Sequence, residues 1–224
     1  MADFIELSAT DLAAMLCSRV CHDLINPVGA IGNGLEVLAD PNQAAMAEGA
    51  QELIANSAKH ARAKLEFARL AYGASSTAGT EFDTRECERV SKLLFEIEKA
   101  ELDWQVAPML LPKHKAKLLM NMLLIAAMAV PRGGLVKVEV SGPAGSEMFR
   151  LTATSDPEKR QKTLMPANAE GLLSGRPEEG VDARGIQPFY TGILARMTGM
   201  DLKIGIEGQV FTFTATPQSV AAAA

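Results

Sequence analysis

The segment 18–27, which reads SRVCHDLINP, holds the residues best suited to chemistry. His22 lies two positions from its nearest apolar neighbours on either side, which places it about 200° around a helix from both. It therefore points away from the apolar stripe that they form. Arg19 at i−3 and Asn26 at i+4 are its neighbours on the exposed face, one a cation and one able to hydrogen-bond an imidazole.

The same face continues along the helix with residues that another protein could approach closely. Ser18, Gly29 and Asn33 are small and polar or lack a side chain, and Ile25 lies beside them. Each glycine costs the helix about 0.8–1 kcal/mol relative to alanine, and Pro27 removes a backbone donor. Residues that destabilise a helix, placed next to an exposed histidine, indicate a functional surface or a kink.

Two simpler interpretations of His22 compete with a reactive role. A lone exposed histidine is more often an ordinary surface residue. Cys17, Cys21 and His22 could also suggest a metal site, but His22 lies about 100° from Cys21 around the helix and no fourth ligand is evident. We therefore expect no bound metal.

Two apolar stripes predict the helices that position His22. The first has spacings of three or four residues and is broken by Asp40, Pro41 and Asn42. The second runs from Ile54 to Tyr72. Residues 1–75 are thus predicted to form a helical hairpin. The first stripe consists of Leu12, Leu16, Val20, Leu24, Pro27, Ile31, Leu35 and Leu38.

Two helices alone cannot enclose a core, so the hairpin needs a partner. A second copy of the same chain would bury both stripes in a four-helix bundle. We expect a symmetric homodimer.

The remainder of the chain reads as a second domain of mixed helix and strand. The small-residue run 73–79 suggests a linker. Residues 80–216 alternate between helical and strand patterns and predict a layer of helices on one antiparallel sheet. Residues 217–224 end in an alanine run that we expect to be disordered.

Composition restricts the function classes. The net charge of −5 and the pI near 5.3 disfavour non-specific electrostatic binding to nucleic acid or anionic lipid. Three irregularly spaced cysteines and an acidic start favour a reducing cytoplasm. The longest apolar stretch, 118–130, is too short to span a membrane. We expect a soluble, cytoplasmic protein.

The string at 22–27, HDLINP, resembles the H-box of histidine kinase dimerisation domains. In that family an exposed histidine on the first helix of a dimeric hairpin carries a phosphoryl group. The second half resembles the kinase ATP-binding domain, because residues 121–126 (NMLLIA) followed by 131–134 (PRGG) match the frame of its N-box helix. The resemblance implies an α+β fold: a four-helix-bundle hairpin followed by an α/β sandwich.

The chain departs from the kinase pattern wherever nucleotide would bind. Ile125 replaces the asparagine that holds Mg²⁺, no glycine follows Asp156 in the first glycine box, and 185–192 keeps little of the second. Close approach to phosphates normally needs such glycines. The departures imply that no ATP or other cofactor is bound.

A dimeric H-box hairpin fused to a degenerate kinase domain resembles the ChpT-type histidine phosphotransferases. That resemblance implies a relay in which His22 accepts a phosphoryl group from the receiver domain of a hybrid histidine kinase and passes it to response regulator receivers, with Mg²⁺ held in the receiver. Ser18, Ile25, Gly29 and Asn33 would form the docking face.

Three neighbours of His22 take roles in this interpretation, each with an alternative. Arg19 would attract the phosphoryl charge or be a solvated helix residue. Asp23 matches the acidic position that activates the histidine, or pairs with Arg19 at i−4. Asn26 would orient the imidazole or ease a kink at Pro27.

Two rival functions stay open. One is a histidine kinase with divergent nucleotide loops that phosphorylates itself from ATP. The other is a non-enzymatic adaptor that docks receivers without transfer. Binding of ATP identifies the first, and an acid-labile, base-stable phosphoryl group on the protein excludes the second.

Overall fold

Two long helices form a hairpin in the first part of the chain, as predicted. The structure is a computed structural model that describes residues 3–73, 81–156, 158 and 162–218. The elements of the hairpin are α1 (Ala9–Ala39), a short 3-10 segment (Pro41–Met46) and α2 (Ala47–Ala71).

Side chains at the two ends of α1 define where the helix begins and ends. The Ser8 hydroxyl accepts a hydrogen bond from the Asp11 N–H at 3.1 Å, which satisfies one of the free donors of the first turn. At the other end the Asp40 carboxylate accepts from the Asn42 N–H at 2.9 Å. The predicted break at 40–42 is thus an Asx turn that reverses the chain.

One glycine allows α1 and α2 to approach closely. Gly34 is buried, and a Cβ at this position would lie 2.6 Å from Cγ1 of Ile54 and 3.1 Å from the Ala50 carbonyl oxygen. Around Gly29 and Gly32 a Cβ would meet nothing within 4 Å. Helix packing therefore explains one glycine of the three.

The hairpin leaves large apolar side chains exposed in the single chain. Leu35 and Leu38 belong to the predicted stripe, yet they are 54% and 40% exposed. Because α2 covers only one side of α1, the remaining apolar surface needs another partner. The exposed apolar residues of the hairpin are Ile25, Val28, Leu35, Leu38, Met46, Leu53 and Leu65.

The second part of the chain is a mixed α/β domain, in agreement with the predicted class. Its helices are α3 (Thr84–Phe95), α4 (Lys113–Met128), α5 (Ala169–Ser174) and α6 (Ile186–Met197). The five strands of its main sheet are β2 (Ala100–Gln105), β4 (Gly134–Ser141), β5 (Met148–Ser155), β6 (Met200–Glu207) and β7 (Val210–Pro217).

One of the four pairings in the main sheet departs from the predicted antiparallel appearance. The strand order is β2-β4-β5-β7-β6, and β2 pairs with β4 in parallel, with Ala100 opposite Gly134. The chain between these strands runs through α4, and such a crossover returns a strand in the same direction. The other three pairings are antiparallel.

A second, two-stranded sheet was not predicted. It pairs β1 (Glu81–Asp83) with β3 (Leu110–Pro112) and sets Phe82 opposite Leu111. Strands of three residues are too short to show an alternating pattern.

The hairpin and the second domain share one core. Phe67, Leu70 and Ala71 of α2 belong to the same buried cluster as the sheet residues Phe149 and Phe211. At the start of the chain the Ile5 N–H donates to the Gly175 carbonyl at 2.8 Å. The hairpin is therefore fixed against the second domain at both of these places.

Two predicted boundaries fall at or beyond the edge of the described residues. Most of the predicted linker lies in 74–80, outside them, as does the end of the chain from 219. The predicted tail begins at 217, but β7 includes Pro217 and the Gln218 side chain donates to Asp201 at 3.0 Å. Among the described residues, no helix is both long and apolar enough to cross a membrane.

Candidate phosphoacceptor site

His22 lies in the middle of α1 with its side chain 64% exposed. Pro27 and Gly34 are the two buried residues of this helix, and Gly34 lies against Ala50 and Ile54 of α2. The predicted exposure of the imidazole is thus present in the structure, and a partner can reach the ring from solvent.

The side chain of Asp23 lies between His22 and Arg19. Its Oδ1 is 3.7 Å from Nδ1 of His22, and its Oδ2 accepts a hydrogen bond from Nε of Arg19 at 3.0 Å. The predicted pairing with Arg19 is present, and the carboxylate also approaches the imidazole, although adjacent helical residues do not normally face each other. Activation of His22 by Asp23 stays a prediction. A carboxylate beside Nδ1 favours the tautomer that keeps its proton there and leaves the Nε2 lone pair free.

The other predicted site residues lie on the exposed side of α1. Ser18, Gly29 and Asn33 are exposed, and Ile25 is 68% exposed. All four lie within about 60° of His22 around the helix at 100° per residue. They form one face, which we call the His22 face.

Asn26 is exposed next to this face. Among the hydrogen bonds of the described residues, none involves its side chain. The structure does not bring Asn26 into contact with the imidazole, so an orienting role stays a prediction.

A small cavity lies beside Arg19 and Asp23, between the hairpin and the second domain. Its volume is about 120 Å³, and charged side chains in its wall include Arg19, Asp23, Lys64 and Glu98. The Tyr72 ring also lines the cavity, and burial raises the pKa of its hydroxyl above the ordinary value. Residues of four helices and loops meet here, which a pattern along one helix cannot reveal.

Sequence reasoning missed Lys64. Its Nζ donates a hydrogen bond to the backbone carbonyl of Asp23 at 3.2 Å. The sequence did contain a signal for this contact, because Pro27 has no N–H to offer the carbonyl four residues before it.

The cysteines near His22 do not gather further ligands. Cys17 and Cys21 are exposed and Cys87 is buried. Within the described part of the chain, no three His, Cys, Asp or Glu side chains come close enough together to hold a metal ion.

In the second domain, the residues that resemble the kinase N-box are buried and engaged with protein groups. The Asn121 side chain donates to the carbonyls of Ala71 and Lys117 at 3.1 and 2.9 Å, and Gln187 donates to its side-chain oxygen at 3.3 Å. Ile125 has no exposed surface. Asn121 thus joins α2, α4 and α6.

The two segments compared with the kinase glycine boxes, at Asp156 and at 185–192, form a turn and part of a helix. The Asp156 carboxylate accepts from the Glu158 N–H at 3.0 Å. The second segment is the first half of α6, where Phe189 is buried. A Cβ at Gly192 would overlap the Leu173 carbonyl, so this glycine serves the packing of α6 on α5.

Comparison with known proteins supplies independent information on the whole chain. The sequence profile of the family described as histidine phosphotransferase C-terminal domain matches residues 84–210. The protein phosphotransferase ChpT of Brucella abortus (strain 2308) is 44% identical over 212 residues, which cover 94% of this chain and 98% of the relative.

A solved structure described as a bacterial phosphotransferase is similar in both sequence and fold. It is 42% identical, has a TM-score of 0.86, and the match covers 95% of this chain and all of that one. The histidine kinase AdeS of Acinetobacter baumannii also matches, at 11% identity and a TM-score of 0.44. The arrangement of hairpin and mixed domain is thus shared with a phosphotransferase along almost its full length.

Proposed function

The chain belongs to the histidine phosphotransferase family, and we propose that it works in a phosphorelay. In this relay His22 accepts a phosphoryl group from the phospho-aspartate of one receiver domain and passes it to an aspartate of another. The observation that carries this assignment is the exposed imidazole of His22 with the Asp23 carboxylate 3.7 Å from Nδ1.

The transfer is an in-line displacement in each direction. The Nε2 lone pair of His22 attacks phosphorus, the P–N bond forms, and the bond from phosphorus to the aspartyl oxygen breaks, releasing the receiver carboxylate. Asp23 stabilises the positive charge that develops on the ring. Mg²⁺ held by the receiver would offset the charge on the phosphoryl oxygens.

The His22 face is the surface on which a receiver would dock. It presents one large apolar side chain, Ile25, among small neighbours, and no Cβ at Gly29 blocks approach. A receiver can then bring its phospho-aspartate to Nε2 without displacing a bulky side chain. The same face would serve donor and acceptor in turn.

The functional unit is a homodimer. Val28 and Leu35 are both more than half exposed and lie on one side of α1, about 20° apart around the helix at 100° per residue. Contact with the same surface of a second copy would remove these side chains from water and complete a four-helix bundle. Receiver partners and three unpaired cysteines favour the cytoplasm as its location.

The second domain binds no nucleotide and acts as a support for the hairpin. Ile125 cannot ligate a metal, Asn121 already uses its amide within the protein, and the second glycine box is folded into α6. These features support phosphotransfer over the self-phosphorylating kinase.

The test uses a receiver domain carrying a ³²P-labelled phospho-aspartate. Label should move to the wild-type protein in an acid-labile, base-stable form, and His22→Ala should take up none. His60→Ala, which removes an exposed histidine of α2, is the matched control and should label normally. Labelled Mg-ATP without a receiver should leave the protein unlabelled.

Each other outcome selects a rival. Labelling of His22 by ATP alone would establish the kinase. Absence of label on the wild-type protein, with stable binding of the receiver, would establish the adaptor. Equal labelling of His22→Ala would place the acceptor elsewhere.

A further inference from the structure

The hydrogen-bond ladder of α1 has a gap directly beside His22. In an α-helix the carbonyl of residue i accepts from the N–H of residue i+4. For Asp23 that position is Pro27, which has no N–H and is buried inside the helix. The Asp23 carbonyl therefore has no i+4 donor in its own helix, and a backbone acceptor without a partner is destabilising away from water.

Lys64 fills this gap from the neighbouring helix. Its Nζ donates to the Asp23 carbonyl oxygen at 3.2 Å, across 41 residues of sequence. The donor is a cation, and the cavity wall around it contains Arg19 together with the carboxylates of Asp23 and Glu98. The charge of Lys64 is thus placed among groups of both signs.

The carbonyl that Lys64 binds belongs to the residue that contacts the imidazole. Asp23 places Oδ1 at 3.7 Å from Nδ1 of His22 and Oδ2 at 3.0 Å from Nε of Arg19. If the turn beside Pro27 moves, the carboxylate and the ring move with it. A group that fixes this carbonyl fixes the direction in which Nε2 points.

We propose that Lys64 is a positioning residue for phosphotransfer, which takes the place of the backbone N–H that Pro27 lacks and holds the turn bearing His22 and Asp23 against α2. The inference rests on the proposed role of His22 as phosphoacceptor. Its distinctive consequence is that the need for Lys64 depends on Pro27.

The experiment compares Lys64 variants in two backgrounds by the rate of phosphoryl uptake from a labelled receiver. Lys64→Met keeps the aliphatic stem and loses the donor, and it should slow uptake about tenfold, since misorientation of a reacting group is costly. Lys64→Arg keeps a cationic donor and should stay within about threefold of wild type. Lys59→Met removes an exposed lysine of α2 paired with Glu96 and should change nothing.

Pro27→Ala restores the missing N–H and provides the decisive arm. In this background Lys64→Met should slow uptake by less than about twofold, because the carbonyl regains its donor in the helix. A lysine that contributes only general stability would cost the same factor in both backgrounds. That equality, or uptake at the wild-type rate by Lys64→Met, would overturn the proposal.

Hydrogen exchange of the unphosphorylated protein separates this proposal from the assignment of His22. Amides of 21–30 should exchange faster in Lys64→Met, and Pro27→Ala should reverse the effect. If the wild-type protein takes up no label, the assignment of His22 fails, and the positioning role for phosphotransfer fails with it. Unchanged exchange together with normal uptake of label by wild type would refute only the role of Lys64.

Discussion

At the scale of single residues, the chemistry of His22 depends on the groups of its own helical turn. Arg19 and His22 lie on either side of the Asp23 carboxylate, at 3.0 and 3.7 Å. The carboxylate is about one-third exposed, so solvent weakens its electrostatic interactions. Its main contribution is therefore the position in which it holds its two neighbours. In the proposed relay, its position beside Nδ1 favours a proton there while Nε2 reacts.

Asp23→Asn should slow phosphoryl uptake by about 10–100-fold, because the amide cannot stabilise the charge that develops on the ring. The measurement is the single-turnover rate of label transfer at saturating receiver, with far-ultraviolet circular dichroism to verify that the helices persist. Glu36→Gln, an exposed acid about three and a half turns further along α1, is the control and should transfer normally. A wild-type rate for Asp23→Asn would show that the carboxylate serves only Arg19.

Helical periodicity was sufficient to predict that His22 is exposed and that Arg19 and Asp23 lie within reach of each other. Both follow from angles around one helix. The contact of Lys64 and the cavity beside Asp23 could not be predicted in this way, because both depend on how α2 docks onto α1, and Lys64 is 41 residues away from Asp23 in sequence. The absence of an N–H at Pro27 was the local sign that a distant donor was needed.

At the scale of elements, the closeness of α1 and α2 determines which glycines matter. Gly34 lies where the helices touch, whereas a Cβ at Gly32 would be in open space in the single chain. From the sequence alone, Gly29, Gly32 and Gly34 formed one feature that indicated a functional surface or a kink. Packing assigns Gly34 to the helix crossing.

Opposite effects on stability are expected from adding a methyl group at these two positions. Gly34→Ala should lower the free energy of unfolding by about 1 kcal/mol, because the clash with Ile54 and Ala50 exceeds the gain in helix propensity. Gly32→Ala should raise it by up to about 1 kcal/mol, because a Cβ there meets no atom within 4 Å and alanine favours the helix. Urea unfolding of both variants at one protein concentration is the measurement, and a gain for Gly34→Ala would contradict the close crossing.

A buried ion pair joins α4 to the turn between β4 and β5. Lys115 Nζ is 2.6 Å from Oε2 of Glu147, and both residues are at most 9% exposed. Burial disfavours the charged carboxylate, but hydrogen bonds from Lys115 and from the Gly145 N–H outweigh it, so the pKa of Glu147 lies below its ordinary value of 4.5. Stability from this pair is therefore full above the ordinary pKa and is lost as the pH falls through the lowered one.

Glu147→Gln should lower the free energy of unfolding at pH 7 by about 3 kcal/mol, since Lys115 is left with a neutral partner in the interior. The difference from wild type should shrink as the pH falls below about 4.5. Glu139→Gln, in the partly exposed pair with Lys137, should change stability by less than about 0.5 kcal/mol. A loss independent of pH would exclude the ion pair as its cause.

The elements themselves were mostly predictable, and the pairing of strands was not. Strong periodicity predicted both long helices, and alternation predicted β4, because Val136 and Val138 face the buried side. The parallel pairing of β2 with β4 depends on the path of α4 between them. The residue pattern within β2 or β4 carries no information about the path of the chain through α4.

At the scale of the whole molecule, the exposed apolar surface of the hairpin is the observation behind the proposed homodimer. Val28 is 56% and Leu35 54% exposed. Single exposed apolar residues are common, but several on one helical hairpin mark an interface.

Val28→Glu should weaken the dimer by about a hundredfold or more, which corresponds to ~2.7 kcal/mol, because association would bury a carboxylate without a partner. Sedimentation equilibrium at micromolar protein measures the change, and circular dichroism should show the helices retained. Gln51→Glu adds the same charge at an exposed polar position of α2 and should leave the dimer intact. A wild-type protein that sediments as a monomer would refute the four-helix bundle.

The most direct measurement of the central claim is a two-step relay with purified components. The protein is first labelled on His22 from one phospho-receiver, separated from that donor, and then mixed with a second receiver in Mg²⁺. Label should leave the protein and appear on the second receiver as an acid-stable, base-labile aspartyl phosphate, and His22→Ala should block the passage of label between the two receivers. Label that stays on the protein, or that crosses from one receiver to the other through His22→Ala, would contradict a relay through this histidine.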